Sequence, residues 1–198
     1  MKLTKLFFAA VIVLSANASF AQDTHEASHT VNISIPNLAL LDLEVASGTT
    51  TIDLEGSVVG SEAGLPMSFE DANDESIWIN YTSIVSKTAT TTRNVTVALS
   101  STSDAIPTGL KLTVKAGAHA GVEGSGDLGT PVASPIEITL NPTNIIETIG
   151  SAYTGNTAGR GHQLTYQLGY DIDAATDYAG LDSDASAVLN IVYTLSDI

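Results

Sequence analysis

Residues 187–198 read Ala187-Val-Leu-Asn-Ile-Val-Tyr-Thr-Leu-Ser-Asp-Ile198, and this stretch decides the fold class. Successive side chains of a strand point to opposite faces, so the alternation predicts a half-buried strand with an apolar and a mixed face. The apolar face would be formed by Leu189, Ile191, Tyr193 and Leu195. The stretch lacks Gly and Pro and is rich in β-branched residues, which favours a central position in a sheet.

Working outward from this stretch, the same alternation recurs in short segments separated by turn signals. It is clearest over His29–Ile35, Ser76–Tyr81, Leu110–Ala116 and Gly161–Asp171. About eight or nine short strands and no series of long helices are typical of an all-β protein. We therefore predict an antiparallel two-sheet sandwich, immunoglobulin-like or jelly-roll-like, with a barrel as the alternative.

One short helix is predicted near residues 142–149. Asn141 followed by Pro142 is typical of a helix cap and first helical position. Ile145, Ile146 and Ile149 would then form one apolar stripe, and Gly150 would end the helix.

The N-terminus is typical of an exported protein. Lys2 and Lys5 precede an apolar run over residues 6–14, and Ala21 follows Ser19-Phe20, which predicts a signal peptide over residues 1–21. The apolar run is shorter than the roughly 20 residues that a membrane-spanning helix needs. We expect one β-sandwich domain over residues 22–198, located in the periplasm, at the cell surface or outside the cell. The chain contains no Cys, so its core must stabilise it without disulfides.

The net charge of the chain argues against nucleic acid and anionic lipid as partners. It has 22 acidic and 7 basic residues and a formal net charge of −15. A field of this sign repels nucleic acid and anionic lipid, so we expect neither as a ligand.

No pattern in the sequence indicates catalysis. Gly124-Ser-Gly-Asp-Leu-Gly129 spells the dinucleotide motif, but Thr130-Pro131 and a predicted strand follow it instead of a helix. The four histidines, His25, His29, His119 and His162, are not at metal-ligand spacing on a helix. We predict that the protein is not an enzyme and needs no cofactor. Trp78, the single tryptophan, is expected in the core.

Two features keep a binding function open. Five carboxylates crowd one connection and are candidate calcium ligands, because calcium prefers closely spaced oxygen ligands in loops. They are Asp171, Asp173, Asp177, Asp182 and Asp184. The tyrosines could form a carbohydrate platform if several were exposed in a row, although Tyr166 and Tyr170 share a face with Leu164 and Leu168, which favours burial.

Several phrases together resemble small exported flavobacterial proteins that have no assigned function. They are Val31–Pro36, Leu40–Leu43, Ile77–Ser83, Gly150–Gly155, Gly161–Tyr166 and Val192–Asp197. A weaker likeness is to spore-coat-U-type pilins and to WxL surface domains. The latter carry Trp-x-Leu pairs where this chain has Trp78-Ile79-Asn80 and Tyr193-Thr194-Leu195. The resemblance implies an exported β-sandwich and no reaction.

The expected function is that of a non-catalytic surface or extracellular structural subunit. Its partners would be itself or other cell-surface proteins, with a pilin-like assembly as one form. The alternative is a calcium- or carbohydrate-binding module.

Overall fold

The computed structural model describes residues 28–58, 63–89 and 92–198. The predicted signal peptide lies outside these residues. The chain divides into a unit that ends at Ile35 and a unit that runs from Pro36 to Ile198. Residues 28–35 form neither helix nor strand, so the strand predicted over His29–Ile35 is wrong. Its apolar side chains are Val31, Ile33 and Ile35, which are 67%, 85% and 77% exposed. Alternation predicts which face a strand would bury, but it supplies no pairing partner.

The second unit is built almost entirely from strands. In chain order they are β1 (Leu38–Val45), β2 (Ser57–Val58), β3 (Met67–Ser68), β4 (Asn73–Asp74), β5 (Ile77–Ile84), β6 (Arg93–Leu99), β7 (Leu110–His119), β8 (Ser125–Gly126), β9 (Thr130–Pro131), β10 (Ile136–Glu137), β11 (Thr143–Ile149), β12 (Ala152–Tyr153), β13 (His162–Tyr170) and β14 (Ile191–Asp197). Helix α1 (Ala174–Asp177) and a 3₁₀ turn (Tyr178–Gly180) lie between β13 and β14. Within the described ranges, no helix has the length and apolar character needed to cross a membrane.

The larger sheet is centred on β5, β13 and β7. Its strand order is β10-β7-β13-β5-β12-β8, and β4 adds to β13. β1 pairs antiparallel with β5 along its whole length. The second edge of β5 is therefore shared between β13, near Trp78, and β12, near Thr82.

The smaller sheet has the order β14-β6-β11-β9, and β2 and β3 form a separate hairpin-like pair. Pairing throughout is antiparallel. The larger sheet and the smaller sheet pack face to face, which confirms the predicted all-β sandwich.

The core between the sheets is aliphatic with three tyrosines. The larger sheet contributes Ile77, Ile79, Tyr81, Leu112, Val114, Ala116, Leu164 and Tyr166, and the smaller sheet contributes Val95, Val97, Ile145, Ile146, Ile149 and Tyr193. In β6, β7 and β13, the alternation of the sequence places the listed core residues of those strands inward.

The C-terminal strand has the predicted faces but not the predicted neighbours. Tyr193 is buried, and Leu189, Ile191 and Leu195 pack against the core. β14, however, pairs with β6 alone among the strands of the described chain, so it is an edge strand. The prediction of a central position is wrong, because composition shows that a strand is apolar but not how many neighbours it has.

The helix predicted near 142–149 is wrong as well, because Thr143–Ile149 is β11 and pairs with β6 and β9. The pairing with β6 shifts register twice, between Asn144 and Ile146 and between Ile146 and Ile149. Such bulges re-aim side chains, so Ile145, Ile146 and Ile149 are all fully buried at a spacing that imitates a helix. Three β-branched residues in two turns also favour a strand over a helix.

Trp78 is only partly buried, so its predicted place in the core is wrong. It alternates with Ile77 and Ile79, which take the inward face of β5 and are 3% and 0% exposed.

We predict that Ile79→Ala lowers the free energy of unfolding by about 2–5 kcal/mol, because it leaves a cavity in the core. Trp78→Ala should cost less, about 1–2 kcal/mol, since it removes only partial burial. Urea unfolding of both variants measures the two losses. A larger loss for Trp78→Ala would contradict the assignment of faces along β5.

Candidate functional site

Three of the five candidate calcium ligands, Asp173, Asp177 and Asp182, accept hydrogen bonds from the local backbone. Asp173 caps α1 by accepting a hydrogen bond from the Thr176 N–H at 2.8 Å, and this bond lowers the pKa of its carboxyl. Asp177 Oδ2 accepts from the N–H groups of Ile172 and Asp173 at 2.6 and 3.0 Å. Asp182 Oδ1 accepts from the Asp184 N–H at 3.0 Å.

The two remaining candidates, Asp171 and Asp184, are exposed. The carbonyl oxygen of Asp171 accepts a hydrogen bond from the Lys111 ammonium, and Asp184 contributes its backbone N–H to Asp182. Across residues 28–58, 63–89 and 92–198, no three carboxylate or histidine side chains are grouped so that they could hold a metal ion. Calcium binding by the five aspartates therefore stays a prediction that the geometry does not favour.

The Gly-rich loop is used for close backbone packing. Gly126 lies in β8, which pairs with β12, at a φ of 95°. A Cβ atom at this position would lie 2.2 Å from the Ser151 carbonyl oxygen, which only glycine avoids. The loop leads into β9 and not into a helix, so it lacks the helix N-terminus that binds pyrophosphate.

Two histidines meet where β7 ends and β13 begins. The rings of His119 and His162 are 5.7 Å apart, and His162 stacks on Tyr81 at 5.8 Å. His162 Nδ1–H donates to the Gly117 carbonyl at 2.9 Å, and its Nε2 lies 3.0 Å from the Tyr81 hydroxyl. That hydroxyl also contacts the Leu128 carbonyl, so its single hydrogen serves two acceptors.

These contacts occupy every ring nitrogen of the pair. His119 Nε2–H donates to the Thr154 carbonyl at 3.2 Å, and Nδ1 accepts from the Gly121 N–H at 3.0 Å. Burial lowers the pKa of His162, with the Gly117 bond opposing the shift and the nearby His119 adding to it. The histidines thus connect β5, β7, β13 and the segment that follows β12, and they present no nitrogen to a substrate.

A cavity of about 520 Å³ opens at the end of the sandwich where β7 and β14 begin and β13 ends. Its walls are Leu110, Leu112 and Leu168 from the larger sheet and Leu189 and Ile191 from the smaller sheet and its approach. Segments 52–56, 67–69 and 181–187 complete it. This volume is in the range of small-molecule sites.

The sequence did not indicate this cavity. Alternation shows that Leu112 and Ile191 point inward, but not that a space remains between them. The exposed tyrosines do not form one platform either, because Tyr178 lines this cavity and Tyr153 lines a separate hollow with Thr82 and Asn156.

A second feature is the side of the sandwich where β1 and β14 lie. Each pairs with a single strand in the described chain, β1 with β5 and β14 with β6, and the two contact each other across the sheets. One side of the sandwich therefore presents two open strand edges. An open edge offers unpaired backbone groups to a further strand.

We predict that acid destabilises the fold partly through His162. Because its folded pKa lies below the ordinary 6.5, stability contributed by the neutral ring is lost as pH falls through 6.5. His162 contributes at most about 1.4 kcal/mol per pH unit to the slope of the free energy of unfolding against pH. His162→Gln should flatten the decline in the free energy of unfolding between pH 7 and 5, measured in urea. Gln163→Ala, beside it on β13, should keep the full decline, and equal declines in both variants would contradict this role.

Comparison of the chain with protein-family models, with curated proteins and with solved structures gives no significant match. The candidate site is therefore defined by geometry alone: an apolar cavity at one end of the sandwich and two open strand edges along one side.

Proposed function

We propose that the protein is a non-catalytic, exported structural subunit that associates with further copies of itself through strand addition. The observation that carries the proposal is the open edge of β1. Natural sheets protect such edges with charges, bulges or covering loops. In β1, Asp42 and Glu44 protect only the second half, and Arg93 engages the carbonyl of Leu38, whereas Ala39–Leu41 carries no charge. Leu40 is 58% exposed.

The sequence next to this edge strengthens the proposal. Residues 30–41 contain no charged side chain, although the chain has 22 acidic residues. The exposed Val31, Ile33 and Ile35 fall within this stretch. A segment with high β-propensity and no charge associates readily when its backbone is open, and copies that pair here avoid the repulsion between two acidic chains.

Further support comes from the histidine and carboxylate side chains that could have served in catalysis or metal binding. The buried histidines are engaged with backbone carbonyls and Tyr81, and the acidic loops are engaged with backbone N–H groups. These side chains hold the fold together, as those of a structural module do. Export and surface location are part of the proposal and follow from the sequence of residues 1–21.

We predict that the purified protein forms oligomers or filaments that Leu40→Lys disperses. A lysine at an open edge carries an ammonium into the approaching strand, which opposes pairing without removing core volume. Sedimentation velocity and electron microscopy measure the assembly state.

Leu140→Lys is the matched control, because Leu140 is similarly exposed, at 65%, and lies outside β1 and β14. It should leave assembly unchanged. A wild-type protein that stays monomeric at high concentration would contradict the proposed function. Equal assembly of Leu40→Lys and wild type would instead exclude β1 as the edge that pairs.

A further inference from the structure

The buried part of the end cavity is apolar. Its inner walls are aliphatic and aromatic, with Leu112 and Phe69 buried at 4% and 7% exposure. Met67 adds a flexible thioether, which adapts to irregular apolar shapes. The lining residues with polar side chains are all exposed, namely Glu55, Tyr178, Asp182, Ser183 and Ser186. The buried part of the lining therefore suits a hydrocarbon body.

The mouth of the cavity differs in character. Its exposed lining residues include Glu55 and Asp182, and within residues 28–58, 63–89 and 92–198 no Lys, Arg or His lines the cavity. Neither carboxylate forms an ion pair with a described side chain. An anionic head group would meet two like charges there, whereas a cationic head group would meet two opposite charges.

Tyr178 adds a second reason for a cationic head group. Its ring lines the cavity and is 47% exposed, so one part faces the apolar interior and another part faces solvent. An aromatic ring attracts an ammonium group placed over its face. An exposed ring and two exposed carboxylates on the lining of one cavity favour alkylammonium over neutral head groups.

We propose that this cavity binds a small amphiphile with an alkyl body and a cationic head group. The body fills the space between Leu112, Leu168 and Ile191, and the head lies at the mouth near Glu55, Asp182 and Tyr178. This binding is a further function beside self-association. The cavity lies at the end of the sandwich where β14 begins. The proposed assembly instead uses the open edge of β1 and residues 30–41.

Isothermal titration calorimetry tests the proposal with three probes: dodecyltrimethylammonium, dodecanol and dodecyl sulfate. Each is used below its micelle-forming or solubility limit. We expect saturable one-to-one binding that weakens from the cationic to the neutral to the anionic probe. The double variant Glu55→Gln/Asp182→Asn should weaken binding of the cationic probe about two- to tenfold, since an exposed charge pair changes affinity by up to about fivefold.

Ala187→Phe, which places a ring among the lining residues, should abolish binding, while Ala158→Phe, at a similarly half-buried alanine outside the cavity, should leave it unchanged. If Ala187→Phe fails to fold, the double variant still decides, because both of its sites are exposed.

Three results would overturn the proposal. Binding of the sulfate probe as tight as that of the ammonium probe would show that the mouth does not select charge. Binding unchanged in Ala187→Phe would place the probe elsewhere on the acidic surface. Conversion of oligomers to monomers by Ala187→Phe, with no probe bound by the wild type, would show that the cavity holds residues 30–35 of a second copy.

Discussion

The buried guanidinium of Arg93 joins the two sheets at one end of the sandwich. The residue is 2% exposed and begins β6 of the smaller sheet. Its Nε donates to Asp197 Oδ1 of β14 at 2.7 Å. Its terminal nitrogens donate to groups of the larger sheet and the chain leading to it, namely the Leu38 and Ile84 carbonyls, the Ser83 hydroxyl and the Asn37 side chain. Because a buried charge is costly unless all its donors are used, β1, β5, β6 and β14 must all be in register for Arg93 to be satisfied.

A second polar link crosses the core between the same sheets. The hydroxyls of Tyr166 in β13 and Tyr193 in β14 lie 2.7 Å apart. Burial raises the pKa of Tyr166 to about 12 and raises that of Tyr193 as well, so both stay protonated at neutral pH. This bond and Arg93 tie β14 to the larger sheet, while the backbone of β14 pairs along one edge only, with β6. The other edge of β14 is left open, and so is that of β1, which gives the proposed assembly its surface.

Much of the fold could be predicted from alternation, because period two is a direct consequence of strand geometry. The inward faces of β6, β7, β13 and β14 follow from it. What alternation omits is the identity of the neighbours, so β14 was expected at the centre of a sheet and lies at an edge. The bulges of β11 break the period itself, and the buried isoleucines then imitate a helix. Arg93 is the first residue of an otherwise largely apolar strand, but nothing in its local sequence indicates that five groups converge on it.

The candidate site was less predictable than the fold. The cavity depends on how residues far apart in sequence, such as Leu112 and Ile191, are placed around it, which is a tertiary property without a local pattern. The aspartates between β13 and β14 were visible as a cluster, but their spacing suits hydrogen bonds to the N–H groups of the turn as well as it suits a cation. The absence of charge over residues 30–41 is visible in the sequence, but it gained meaning only once β1 was found at the edge of a sheet.

The most direct test of this account is the free energy of unfolding of Arg93→Met, measured in urea beside Arg160→Met. Arg160 provides the comparison because its ion pair with Glu123 spans 3.5 Å and is partly exposed on both sides. We predict a loss of about 3–5 kcal/mol for Arg93→Met, which leaves several buried acceptors without a donor. For Arg160→Met we predict a loss below about 1 kcal/mol. Equal losses in the two variants would contradict the claim that Arg93 holds the sheets together.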